Sequence, residues 1–401
     1  MDDLDVQLKD ADGRPLPKQG RYDRLELIPW WDRDRMAAAR VLVVGAGALG
    51  NEIIKNLALL GVGRILILDL DTIELSNLTR SVLFREADIG ETKAEVAARA
   101  AMEINPDIRA VGVVGNVVND LGLGVFAECD VVLGGLDNGE ARLAINQACW
   151  KVGRPFVDGA IEVFFGVARV FVPPETACFE CTMNETDLAL LNKRKSCALL
   201  SRDEMVAGKV PTTPTVSSVV AGIQVSEAMK LLHDRRDLPV LAGAGFFFNG
   251  LTHDSYVVRY DRKEDCISHD TYENIQRLDR SVSDTTLGDL LALGREEVHG
   301  EAVLDLEKEL VVRLVCDPCK TSVEVRRVLG RVSAAEAKCP GCGKAMRPEL
   351  THSIDGDCEF LDRTFAEIGL PLYDVVTARY GLDRRHYLFA ADRSSALGIL
   401  A

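Results

Sequence analysis

Four consecutive apolar residues, Val41-Leu42-Val43-Val44, run directly into Gly45-Ala46-Gly47-Ala48-Leu49-Gly50, and a helix-compatible stretch follows to Leu60. An apolar run of that length reads as a strand buried on both faces. A Gly-x-Gly-x-x-Gly turn between such a strand and a helix lets the backbone approach a phosphate at the helix N-terminus. Ile65-Leu66-Ile67-Leu68, ending at Asp69, and Asp130-Val131-Val132-Leu133, ending near Asp137, read as further buried strands. Helical segments such as Lys93 to Ile104 alternate with them. The pattern predicts an α/β chain with a doubly wound, mainly parallel sheet. On the glycine turn alone, a dinucleotide-binding dehydrogenase is the first reading, with Asp69 or Asp71 on ribose hydroxyls.

At 401 residues the chain has room for two or three domains. Its 47% hydrophobic and 27% charged residues exclude global disorder. The formal net charge of −15 argues against a broad nucleic-acid or anionic-membrane surface. No apolar run reaches the roughly 18 residues that a bilayer span needs, and the acidic start Met1-Asp2-Asp3-Leu4-Asp5 is unlike a secretory signal, so a cytoplasmic protein is expected. Residues 1–35 read as a polar arm and 36–275 as the main domain. A polar crossover segment at 184–213 interrupts that domain, and an apolar helix resumes over Val216 to Leu232. An acidic, linker-like stretch from Ser281 to Glu301 then opens a C-terminal region, 276–401. Its last forty residues, Asp362 to Ala401, carry helix and strand signals but no interpretable motif.

The residues after the second strand break the dehydrogenase reading. Asp69-Leu70-Asp71-Thr72-Ile73-Glu74-Leu75-Ser76-Asn77-Leu78-Thr79-Arg80, then Gly90-Glu91-Thr92-Lys93, gathers acids, an amide and two cations. A nucleoside triphosphate needs such a set, with acids for ribose and magnesium and cations for phosphates. This ordered string, with Leu136-Asp137-Asn138 downstream, resembles the Rossmann-like adenylation domain of ubiquitin-activating (E1-like) enzymes and the bacterial ThiF/MoeB/HesA enzymes, over Arg21 to about His269. The resemblance implies ATP and Mg2+ as cofactors, with the turn Gly45, Gly47 and Gly50 at the phosphates. It implies that Asp69 binds ribose, that Asn77, Arg80 and Lys93 grip phosphates, and that Asp137 holds magnesium with Asp71 nearby. In Arg21-Tyr22-Asp23-Arg24 it points to Arg24 as a residue reaching across a homodimer to the partner's ATP.

Six of the eleven cysteines stand in Cys-x-x-Cys pairs, which favours metal binding over a disulfide framework. Cys178 and Cys181 supply half of a tetrahedral zinc site. In the family a second pair follows a late strand; here that place reads Cys266-Ile267-Ser268-His269, so the resemblance gives Cys266 and His269, the latter where a Cys is usual. Cys316/Cys319 and Cys339/Cys342 have the spacing of a zinc ribbon over 316–342, with Val323 to Val332 as its hairpin. A structural Zn2+ suits a unit too small to build a core of its own. Cys129, Cys149 and Cys358 have no partner motif and read as buried small hydrophobes.

Cys197, in the polar crossover after Lys193-Arg194-Lys195-Ser196, is the candidate nucleophile, because nearby cations favour the thiolate. In the ubiquitin-activating relatives a crossover cysteine accepts the carrier as a thioester. The resemblance therefore implies an enzyme that adenylates a ubiquitin-like protein ending in glycine, carries it on Cys197 and passes it to a conjugating enzyme. The alternatives are a sulfur-carrier adenylyltransferase of the ThiF/MoeB kind, a non-catalytic partner subunit, and a tRNA-modifying branch that the acidic charge disfavours.

Overall fold

The computed structural model describes residues 20–184, 186, 211–298 and 300–401. Two one- to two-turn helices, α1 (Asp23–Glu26) and α2 (Arg33–Ala38), lead into β1 (Arg40–Val44). The chain continues through α3 (Ala48–Leu60), β2 (Arg64–Asp69), α4 (Lys93–Ile104), β3 (Arg109–Val114), α5 (Leu123–Glu128), β4 (Val131–Gly134) and α6 (Gly139–Lys151). Strands β5 (Phe156–Glu162) and β6 (Phe165–Phe171) precede the long α7 (Pro214–His233), and β7 (Ala244–Asn249) and β8 (Asp254–Arg259) come after it. Together these strands form one sheet in the order β3-β2-β1-β4-β5-β6-β7-β8. The first five are parallel and the rest antiparallel.

The run Val41 to Val44 is apolar at every position because each face meets its own core. Val41 and Val43 join Ile65, Ile67, Val131 and Leu133 under α3, α4 and α7. Leu42 and Val44 join Leu66, Leu68 and Val132 under α5 and α6. The second core is completed from far along the chain, by Tyr373, Val375, Leu388, Leu397 and Leu400.

Those residues belong to the C-terminal region, whose second sheet is built from β9 (Gln276–Leu278), β10 (Val303–Cys316), β11 (Thr321–Val328), β12 (Arg347–Ile354), β13 (Val375–Tyr380) and β14 (Asp383–Phe389). Its order is β11-β10-β13-β14-β9, with β12 also paired to β10. Helix α8 (Leu287–Glu297) covers it, and α9 (Arg393–Leu397) lies near the end of the chain.

Three expectations change. Residues 20–35 are no free arm. Tyr22 is buried, its hydroxyl donates to Asp107 and accepts from Asn105 Nδ2 at 2.8 Å, and the Arg33 guanidinium lies 3.7 Å above its ring. The stretch from Ser281 to Glu301 contains α8, started by a Thr286/Asp289 capping box and buried through Leu287, Leu290 and Leu291. Its acidic residues mislead because they occupy the solvent side of an amphipathic helix. The ribbon hairpin is β10 paired with β11, turning at Cys316 to Cys319, rather than Val323 to Val332.

One carboxylate ties the two sheets. Glu128, at the end of α5, receives both Nε and Nη2 of Arg393 at 2.9 Å, the Tyr373 hydroxyl at 2.8 Å and Arg40 Nη1 at 2.6 Å. The Arg393 hydrogen bonds hold its carboxyl down at about 2, against burial, with help from Tyr373 and the charges of Arg393 and Arg40. We expect Glu128→Ala to lose roughly 2–4 kcal/mol, since it strands the guanidiniums of Arg393, Arg40 and Arg277. Because the folded-state value lies below the ordinary 4.5, the deficit in thermal unfolding should be full at neutral pH and close as pH falls from about 4.5 towards 2.

Candidate functional site

The parallel strands order as 3-2-1-4-5, so connections leave β1 and β4 in opposite directions and open a crevice at their carboxyl ends. The glycine turn follows β1, Asp69 and Asp71 stand at and just after the end of β2, and Asp137 comes just after β4. Each glycine of the turn has its own reason. Gly45 has φ +93°, and a Cβ there would stand 2.6 Å from the Gly135 carbonyl oxygen. A Cβ on Gly50 would lie 1.8 Å from the Gly45 carbonyl oxygen, so only glycine lets α3 start this close to β1. Gly47, the N-cap of α3, has open space where a Cβ would be. That leaves the first N–H groups of a 13-residue helix facing an accessible cradle, which suits a phosphate.

Asp69, at the end of β2, accepts from the Ala46 N–H at 2.7 Å and the Asp71 N–H at 2.8 Å. Burial raises its pKa, opposed by Lys93 and by these two amides. Lys93, the first residue of α4, reaches back to Asp71 at 3.0 Å and is only 12% exposed. A cation at a helix N-terminus faces an unfavourable dipole and is held here by a carboxylate. Asn77 is buried and its Oδ1 accepts the Glu74 N–H, while Arg80 donates to the Ser76 carbonyl at 2.8 Å. Asp137 is exposed, three residues beyond β4. Arg24 is exposed on α1. Cys197 lies outside the described residues.

Several braces have no motif to announce them. Asn51 is fully buried; its Nδ2 donates to the Ala46 and Gly47 carbonyls and its Oδ1 accepts the Leu83 N–H at 2.8 Å. It thereby locks the glycine turn to the segment after Arg80. Asp158, with no exposed surface, is held by Arg142 at 3.0 Å and Arg169 at 2.6 Å, and Arg142 also donates to the Leu136 carbonyl beside Asp137. Gln224 of α7 donates to the Gly134 carbonyl at the end of β4 and the Val157 carbonyl at the start of β5. No sequence signal singles out Gln224, since Ser217, Ser218, Ser226, Glu227 and Lys230 stand on the same helix.

Among the described residues, two sets of metal-ligating side chains converge. Cys178, Cys181, Cys266 and His269 bring their ligand atoms within 4.8 Å of one another, with Cys178 Sγ 3.7 Å from Cys181 Sγ and 3.6 Å from Cys266 Sγ, and His269 Nε2 3.4 Å from Cys181 Sγ. Thiolates about 2.3 Å from a tetrahedral zinc stand roughly 3.7 Å apart, so the donors fit that ion. Burial lowers the His269 pKa, which favours the neutral ring a ligand must present. His269 also stacks on Trp150 at 4.4 Å. Cys316, Cys319, Cys339 and Cys342 form the second set, with Cys316 Sγ 3.6 Å from Cys342 Sγ. With four donors each, neither set leaves a position for substrate. Cys129 and Cys149 are buried, and burial raises both thiols, Cys129 to about 12, which makes them inert; Cys358 is half-buried.

The chain matches the ThiF family model over residues 22–267. The SAMP-activating enzyme E1 of Haloferax volcanii is 34% identical over 255 residues, covering 64% of this chain and 89% of that protein. Ubiquitin-like modifier-activating enzyme 5 of Arabidopsis thaliana is 30% identical over 240 residues, 55% of this chain and 53% of its own length, so the chain spans about half of that relative. Among solved structures, E. coli MccB with AMPCPP and MccA superposes with a TM-score of 0.51 at 25% identity, covering 62% of this chain and 74% of that one. The family match ends before β9, so the second sheet and its four cysteines lie beyond it.

Native mass spectrometry should find two tightly held metal ions per chain, falling to one in Cys181→Ser and to a different one in Cys342→Ser. The fold, the crevice and these relatives agree that the chain belongs to the ThiF family and is an activating enzyme of the E1-like, ATP-binding kind.

Proposed function

We propose that this enzyme adenylates the C-terminal glycine of a ubiquitin-like protein and then carries it as a thioester on Cys197 for a conjugating enzyme. The observation behind the first step is the grouping of the open Gly47 cradle, Asp69 and the Lys93–Asp71 pair at one crevice. The relatives named as activating enzymes for SAMP and for ubiquitin-like modifiers support the carrier class.

In this reading Asp69 takes the ribose hydroxyls of ATP, and Asn77 and Arg80 grip the phosphates beside the α3 N-terminus. Lys93 exchanges Asp71 for phosphate oxygens, a switch between two anionic partners that needs no change of backbone. Asp137 and Asp71 hold Mg2+, which when bound neutralises phosphate charge. A carboxylate oxygen of the carrier attacks the α-phosphorus, the bond to the bridging oxygen breaks, and pyrophosphate leaves. The Cys197 thiolate then attacks the acyl carbon and AMP departs with the bonding electrons. Lys193, Arg194 and Lys195 favour the thiolate. Zn2+ in each four-donor set is structural. We place the enzyme in the cytoplasm as a homodimer, with Arg24 reaching the partner's nucleotide.

Intact mass after incubation with MgATP and carriers ending in glycine tests both steps. We expect a thiol-labile adduct that disappears in Cys197→Ala while ATP–pyrophosphate exchange persists. Lys93→Ala and Asp137→Asn should each lower exchange by about a hundredfold or more, as loss of charge stabilisation does elsewhere. Exchange without any adduct would overturn the thioester step in favour of sulfur-carrier adenylation.

A further inference from the structure

Beyond the family-matched residues, the four-cysteine unit touches the adenylation sheet at a place with consequences for the nucleotide. The contact is the loop after β3. Gly115 donates to the Asp69 carbonyl at 3.2 Å, so this loop starts on the ribose side of the crevice. From there the chain makes a compact turn. Asn116 N–H donates to Asp120 Oδ2 at 2.7 Å, Val118 N–H to Asn116 Oδ1 at 2.9 Å, and Asp120 N–H to the Asn116 carbonyl at 2.8 Å.

The C-terminal unit holds this turn at three successive residues. Lys308, on β10, donates to the Val118 carbonyl at 2.9 Å. A Cβ on Gly330 would stand 2.1 Å from the Asn119 side-chain amide carbon, so the turn Leu329–Arg331 lies directly against the Asn119 side chain. Arg331 Nη1 lies 2.6 Å from Asp120 Oδ1. Leu329 itself leans on a small core formed by Val311, Leu314, Cys316, Val332, Ala337, Cys339 and Met346. Two of those seven residues are thiols of the metal-ligating set. So small a cluster has little to hold it without the metal. The route from metal to nucleotide is therefore short: cysteines, Leu329, Arg331, the 115–120 loop, Asp69, with Lys308 a second hold on the loop from the root of β10.

We propose that Lys308 and Arg331 are positioning residues for the nucleotide site, and that metal occupancy of Cys316, Cys319, Cys339 and Cys342 is thereby linked to nucleotide affinity. The two states differ in whether the Leu329–Arg331 turn is docked on the loop. With metal bound the turn is ordered and the loop holds its place beside Asp69. Without metal the turn loosens, and the nucleotide must order the loop itself. Linkage is reciprocal, so nucleotide must retain the metal by the same factor with which the metal favours nucleotide. The proposal rests on ATP binding in the crevice.

The test uses the full chain and AMPCPP. Titration calorimetry should show affinity at least about fivefold weaker in Arg331→Gln and in Cys319→Ser, with the double variant no weaker than Cys319→Ser, because the two act in series. In wild type, AMPCPP should slow metal release to a chelator by at least about fivefold, and in Arg331→Gln it should not. Arg331 is 44% exposed, so its substitution leaves the fold intact even if Cys319→Ser does not fold. Affinity within about twofold of wild type in Arg331→Gln, or chelator kinetics insensitive to AMPCPP, overturns the linkage alone. A wild-type chain that binds no AMPCPP overturns the activating-enzyme reading with it.

Discussion

The contact on which the rest of this molecule depends is that between the Gly45 carbonyl and Gly50. At 1.8 Å from the oxygen, no side-chain carbon could stand at position 50. The closeness fixes where α3 begins, and hence where its free N–H groups point. It also packs α3 against the face of β1 that carries Val41 and Val43, so the same contact sets the first core. Asp69 and Asn51 then serve the turn rather than stand apart from it, one accepting the Ala46 N–H and the other donating to the Ala46 and Gly47 carbonyls. A nucleotide site assembled this way is a property of the backbone, with side chains adding charge around it.

Much of this was legible in the sequence because its causes are local. A run apolar at every position can only be a strand covered on both sides, and β1, β2 and β4 lie where Val41, Ile65 and Val131 placed them. Lys93 to Ile104 shows helical periodicity within a dozen residues, and the apolar segment from Val216 to Leu232 is too long for one strand; both are helices. The cysteine pairs could be read because two thiolates three apart need only one turn to share an ion. His269 required more: it meets Cys181 only because the segment after β8 returns to α6, where Trp150 receives the ring.

Distance in sequence hides the rest. Asp158 gives no sign of lying between Arg142 and Arg169, and Glu128 looks like any acid at a helix end until Arg393, 265 residues away, arrives beside it. The acidic stretch around α8 shows the converse, since composition suggested a linker where helical spacing buries three leucines. The second sheet as a whole was invisible for this reason. Its strands pair β9 with β14 across more than a hundred residues, and its β13 and β14 supply residues that cover Leu42 and Leu66.

Strand β10 joins two cores end to end. Leu304, Leu306 and Leu310 face one and Val311, on the opposite side, the other; after a register shift between Val311 and Arg313 the alternation is inverted, and Leu314 and Cys316 face the second core as well. A bulge of this kind reverses which side of a strand faces inward without interrupting the chain. The fourteen residues, about 46 Å of extended backbone, are therefore bonded on both sides, between β12 and β13 at the root and between β11 and β12 towards the cysteines. Load applied at the cysteine tip is carried through hydrogen bonds in shear along both neighbours to the root between β12 and β13. The tip can fray inwards residue by residue, but it cannot swivel like a bead on a flexible tether.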